Sequence, residues 1–67
     1  MDSFLELEGA LTQLEGVDQR LCRVVELRFF GGLSEADVAE LLGVSSRTVE
    51  RDWLKARLFL LHELERG

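Results

Sequence analysis

Three positions in this chain carry the same start signal for a helix. Asp18, Ser34 and Ser45 are each suited to accept hydrogen bonds from the free N–H groups of a helix N-terminus. Each follows an apolar residue and has another four positions beyond it, pairing Val17 with Cys22, Leu33 with Val38 and Val44 with Val49. That is the spacing of a hydrophobic staple. Glycines supply the stops. Gly16, Gly31-Gly32 and Gly43 follow runs of helical period: Phe4, Leu7, Leu11, Leu14; then Leu21, Val24, Val25, Phe29; then Val38, Ala39, Leu41, Leu42. Each is expected to take the left-handed conformation that ends a helix. The punctuation predicts helices near 4–15, 19–30, 35–42 and 46–64, with no strand signal. The expected fold is all-α, a small four-helix domain.

The third and fourth helices constrain function most. A short helix, the three-residue reversal Gly43-Val44-Ser45 and a longer helix make a helix-turn-helix over 34–57. Ala39 stands on the inner face of the first of the pair, where a larger side chain would hold the second away. Leu42, Val44 and Val49 are expected to form the small core between them.

Composition sets the outer limits. Sixty-seven residues make one domain, 1–67, with little core to spare. The single cysteine, Cys22, has no internal disulfide partner, which suits a reducing cytosol. No leader and no membrane-spanning run is visible, so a cytoplasmic protein with no membrane partner is expected. A net charge of −5 argues against indiscriminate nucleic-acid binding, which depends on Lys and Arg displacing counterions.

The charges are unevenly spread, however. Residues 44–57 carry Arg47, Arg51, Lys55 and Arg57 against Glu50 and Asp52. At about 100° per residue, Val49, Trp53, Ala56 and Leu60 share one side of the fourth helix, and Arg47, Arg51 and Lys55 lie roughly 170° away. Neither Glu50 nor Asp52 stands four residues from any of the three, so the best-spaced neutralising pairs are missing. The stripe also begins in the first turn, where the helix dipole disfavours cations. An external anion would compensate. In a helix-turn-helix that anion is DNA, since the second helix enters the major groove by its N-terminal residues.

The stretch "VDQRLCRVVELRFFGGLSEADVAELLGVSSRTVERDWLKAR" resembles region 4, the C-terminal helix-turn-helix domain, of bacterial RNA polymerase sigma factors of the extracytoplasmic-function class. The resemblance lies in the Asp-x-Arg opening of helix two, Leu27–Ser34, Val38-Ala39, Leu42–Ser45, Thr48-Val49, and Arg51-Asp52-Trp53 followed by Ala56-Arg57. It covers roughly residues 17–60. It implies binding to the minus-35 box of double-stranded promoter DNA, docking on the β flap of the polymerase core, and masking by an anti-sigma factor. Carried over by position, Ser46, Arg47, Glu50 and Arg51 face base edges, while Ser45, Thr48 and Lys55 are better placed for phosphates. Arg47 or Arg51 is the first choice for guanine. Glu50 either accepts from a cytosine amino group or holds Arg47 in place. Asp37-Val38 departs from the family's usual Glu-Ile, and Asp37 doubles as the N3 partner of cap Ser34. Sixty-seven residues leave no room for region 2, so the expectation is an excised domain or a stand-alone regulator.

Other conspicuous residues read as structural. Trp53 belongs with the core face; one of Phe29 and Phe30 is expected in the core and the other over the Gly31-Gly32 turn. Cys22 reads as a buried inert thiol, and His62 as an exposed helix residue. No catalytic triad, paired carboxylates, phosphate loop or metal-ligand spacing appears, so neither an enzyme nor a cofactor or metal site is expected. Leu54, Leu58 and Leu61 form a second apolar stripe nearer the basic side. Either helix one packs there, or a partner does: flap, anti-sigma factor or a second copy, in a chain expected to be a monomer or weak dimer. Two other functions compete with promoter binding. One is the effector domain of response regulators, which shares the Ser-x-x-Thr-Val turn. The other is a module that kept the fold and binds only protein.

Overall fold

The computed structural model describes residues 3–66, with side chains from 5 to 65. Helix α1 spans Ser3–Val17, α2 Gln19–Val25, α3 Glu35–Leu42 and α4 Ser46–Arg66. A π-helical turn, Glu26–Phe30, continues α2 without a break. The all-α architecture of four helices matches the expectation, and the described residues contain no strand. Phe4, placed above on the apolar run of the first helix, lies outside the described side chains.

The three caps form as the spacing predicts. Asp18 accepts from the N–H groups of Arg20 and Leu21, and Ser34 Oγ accepts from the Asp37 N–H. Ser45 Oγ accepts from the Thr48 N–H at 3.1 Å. Two staples close with them: Leu33 and Val44 pack on the cluster that holds Val38 and Val49. The third does not. Val17 is 67% exposed although Cys22 is buried. The cause is Gly16, which stays helical, so α1 runs on through Val17 and aims that side chain outward.

Gly43 behaves as expected, at φ 71°, ψ 33°, with the Val44 N–H closing back on the Ala39 carbonyl. A left-handed residue here reverses the chain within three positions. At the end of the second helix Gly32 is left-handed as expected, at φ 68°, but the turn before it is not α-helical. The Gly31 N–H bonds the Glu26 carbonyl, five residues back, and the Leu33 N–H reaches the Leu27 carbonyl at 3.0 Å. This wider turn takes more residues per revolution and moves the following side chains off the 3.6-residue register. Phe29 and Phe30 are therefore both exposed, at 64% and 54%, and stack edge to face with centroids 5.1 Å apart. Neither enters the core.

Two clusters make that core. Leu14, Leu21, Cys22, Val25 and Ala56 join α1, α2 and α4, with Leu11, Phe59 and Leu60 alongside. Val24, Val38, Ala39 and Val49 join α2, α3 and α4. Trp53 packs against both, so the apolar face of α4 is the spine of the molecule.

Candidate nucleic-acid interface

The helix-turn-helix is set by local chemistry at its corner and by packing behind it. Ser45 caps α4 and its hydroxyl also donates to Thr48 Oγ1 at 3.0 Å, tying the first turn together. Val49 and Ala56 are fully buried, and Ala39, 5% exposed, lets α3 and α4 approach closely. This fixes which face of α4 looks outward.

On that face Ser46, Arg47, Glu50, Arg51 and Lys55 are all exposed, and Thr48 is half-buried. Arg47, Glu50, Arg51, Trp53, Leu54 and Arg57 line a shallow open depression of about 490 Å³. Among the described residues no carboxylate pairs with Arg47, Arg51 or Lys55. Glu50 and Arg47 share the depression without an ion pair between them. The stripe is thus an array of uncompensated cations one turn apart, starting where the helix dipole is positive.

A family model described as ECF sigma factor matches residues 1–66. The chain belongs to the ECF sigma factor family. The match extends beyond the 17–60 stretch that carried the resemblance, taking in α1 and the end of α4. No curated protein and no solved structure matches the chain. Sigma factors act in transcription initiation, with RNA polymerase and promoter DNA as partners. No helix among the described residues of this sigma factor chain is long and apolar enough to cross a membrane.

Two interactions of the sigma helix-turn-helix were not legible by spacing. Asp52, one residue past Arg51, is 1% exposed. Its Oδ2 lies 2.7 Å from Arg20 Nε, and its Oδ1 accepts from Arg20 Nη2 at 3.4 Å. The shorter contact lacks hydrogen-bond alignment and holds by charge. Asp52 is therefore turned away from the cationic stripe and held by α2, which removes one of the two carboxylates nearest the stripe arginines in sequence. Arg28 is the second. Its guanidinium carbon sits 5.5 Å from the centre of the Trp53 ring, and Nη1 donates to the Leu33 carbonyl at 3.0 Å. The π turn supplies that arginine, which closes over the tryptophan ring. The only sequence signal for these contacts was that Arg20, Arg28, Asp52 and Trp53 all lie in motifs of the resemblance.

The leucine stripe resolves differently from one of its two readings. Leu54, Leu58 and Leu61 are 54%, 59% and 56% exposed, so α1 does not cover them. Helix α1 instead sends Leu11 and Leu14 to the side of α4 that carries Ala56, Phe59 and Leu60. Leu61 also borders an almost wholly apolar groove of about 240 Å³, lined by Leu7, Phe29, Phe30, Leu60 and Leu64 with Arg57 at its margin. The displaced phenylalanines of the π turn thus form one wall of an open groove instead of filling the core.

Proposed function

We propose that this sigma domain binds a minus-35-type promoter element with the N-terminal half of α4 and docks on the polymerase β flap. The observation that carries the reading is the unpaired stripe Arg47, Arg51, Lys55 on the outer face of a helix whose inner face buries Val49 and Ala56. Arg47 and Arg51 are the base-reading residues, with Ser46 and Glu50 beside them. Ser45, Thr48 and Lys55 contact phosphate. A planar guanidinium suits guanine O6 and N7, and a single ammonium suits a phosphate oxygen. The apolar groove walled by Phe29 and Phe30 is the surface for the flap, because it is open, adjoins α4 and leaves the stripe free.

The net charge of −5 supports a second reading, a module that binds protein alone. Titration of promoter duplexes at several salt concentrations decides between them. Promoter binding requires a preference for one duplex sequence that persists as salt rises, with a log-log slope reflecting the few cations of α4. A chain that binds the isolated flap but shows no sequence preference at any salt is the protein-only module.

A further inference from the structure

One row along the outer face of α4, flanked by Lys55 and Arg57, is polar only at its two ends. Arg47, Arg51, Leu54, Leu58, Leu61 and Glu65 are all exposed, and at about 100° per residue they fall within about 80° of arc. Their separations alternate four, three, four, three, four, the spacing of a coiled-coil seam. The seam runs from two cations through three leucines to a carboxylate. It lies on the side of α4 opposite Val49 and Ala56, so the body of the domain does not obstruct it. Three leucines more than half exposed in one row are unusual for a surface that meets only water.

We infer that this face pairs antiparallel with the same face of a second copy. Charge order commits the partner. With Leu54 of one chain beside Leu58 of the other, the seam residues of the two chains meet all along the overlap. Leu58 then meets Leu54, Arg51 lays its methylene stem over Leu61, and Arg47 meets Glu65. Every one of these layers occurs twice about the two-fold axis. A parallel pair would set Arg47 against Arg47 and Glu65 against Glu65. Near the axis Lys55 and Arg57 each approach their own copy on the flanks, and this repulsion keeps a narrow interface weak. The pairing covers Arg47 and Arg51, so self-association and promoter binding exclude one another. That exclusion rests on the function proposed above for the two arginines; the self-association does not.

Sedimentation velocity over a concentration series tests the dimer. The wild-type chain is expected to pass from monomer to dimer. Leu58→Glu, at an exposed position that leaves the fold intact, raises the dissociation constant about tenfold or more. Glu65→Arg weakens the dimer, and adding Arg47→Glu to it restores association. A wild-type chain monomeric throughout overturns the inference. So does a dimer indifferent to Leu58→Glu, or a charge swap that restores nothing. Adding a duplex with a minus-35-type element is expected to dissolve the wild-type dimer into monomer–DNA complexes. A dimer that stays intact on the duplex overturns the exclusion. A dimer that forms as described in a chain binding no duplex upholds the self-association and removes the DNA reading instead.

Discussion

Arg20 and Asp52, 32 residues apart in sequence, meet across the α2–α4 interface with Nε 2.7 Å from Oδ2. The partnership is unequal: the carboxylate side chain is 1% exposed and the arginine side chain 47%. Burying the carboxylate costs desolvation that the guanidinium offsets, while its wet flank keeps the cost of ordering the arginine low. The pair ties the flank of α4 to α2. Arg51, its neighbour in sequence, stays on the outer face that the burial of Val49 and Ala56 sets.

Removing the cation should expose this dependence. Arg20→Ala is expected to lower the unfolding free energy by about 2–3 kcal/mol, because a buried carboxylate is left without a partner. The double change Arg20→Met with Asp52→Leu should recover most of that loss, since an apolar pair of similar volume needs no compensation. Urea unfolding of wild type and the two variants measures both. A change of only a few tenths for Arg20→Ala would mean that water solvates Asp52 in its place.

Two residues one turn apart on α4 should give different DNA phenotypes. Arg51→Ala is expected to relax preference at one base pair and cost about 1–3 kcal/mol on the cognate duplex. Lys55→Ala should weaken all duplexes alike and reduce the salt slope by about one. Binding isotherms for cognate and scrambled duplexes at several salt concentrations separate the two. Identical behaviour of the variants would mean that neither residue reads sequence.

Glycine substitutions should split in sign. A Cβ at Gly31 would meet the Leu27 carbonyl oxygen at 2.8 Å, a backbone atom already committed to the Leu33 N–H. Gly31→Ala must therefore disturb the π turn, and with it the Phe29–Phe30 wall of the groove. Gly9 lies inside α1 with nothing near its added Cβ. Gly9→Ala should stabilise by about 0.5–1 kcal/mol. Thermal unfolding should move down for the first and up for the second.

Cys22 gives a pH signature. Burial pushes its thiol above the ordinary range, and Glu26 and Glu15 push in the same direction. The unfolded chain ionises first, at about 8.5. The thiol's contribution to stability is thus fully present below that pH and is lost as pH rises toward the folded value. Wild type should lose more stability than Cys22→Ala between neutral and alkaline pH in denaturant melts. Native-state alkylation should be slow, because Sγ is covered and donates to the Leu11 carbonyl at 3.7 Å. Equal alkaline losses in the two proteins would show that the thiol does not couple to folding.

Much of the site could be read before any tertiary contact was known. The caps Asp18, Ser34 and Ser45 act within one turn of themselves, so their residue types suffice to locate helix starts. The outward stripe on α4 follows from the period that buries Val49 and Ala56. Where such reasoning failed locally, the backbone kept or widened a helical turn where the spacing called for a stop or a regular period. Val17 and Cys22 have staple spacing, but an uninterrupted α1 turns Val17 away. Phe29 and Phe30 continue a helical period that the wider turn after Val25 abolishes.

The sequence by itself determined the all-α class, the three capped starts, the left-handed reversal at Gly43 and the cationic face of the last helix. These rest on interactions within about one helical turn, which residue type and spacing specify. Only the tertiary structure decided that Asp52 turns inward to Arg20, that Arg28 closes over Trp53, and that three leucines of α4 stay uncovered. Each depends on how separate helices cross. A crossing is fixed by packing summed over many side chains, and the spacing within any one segment carries no record of it.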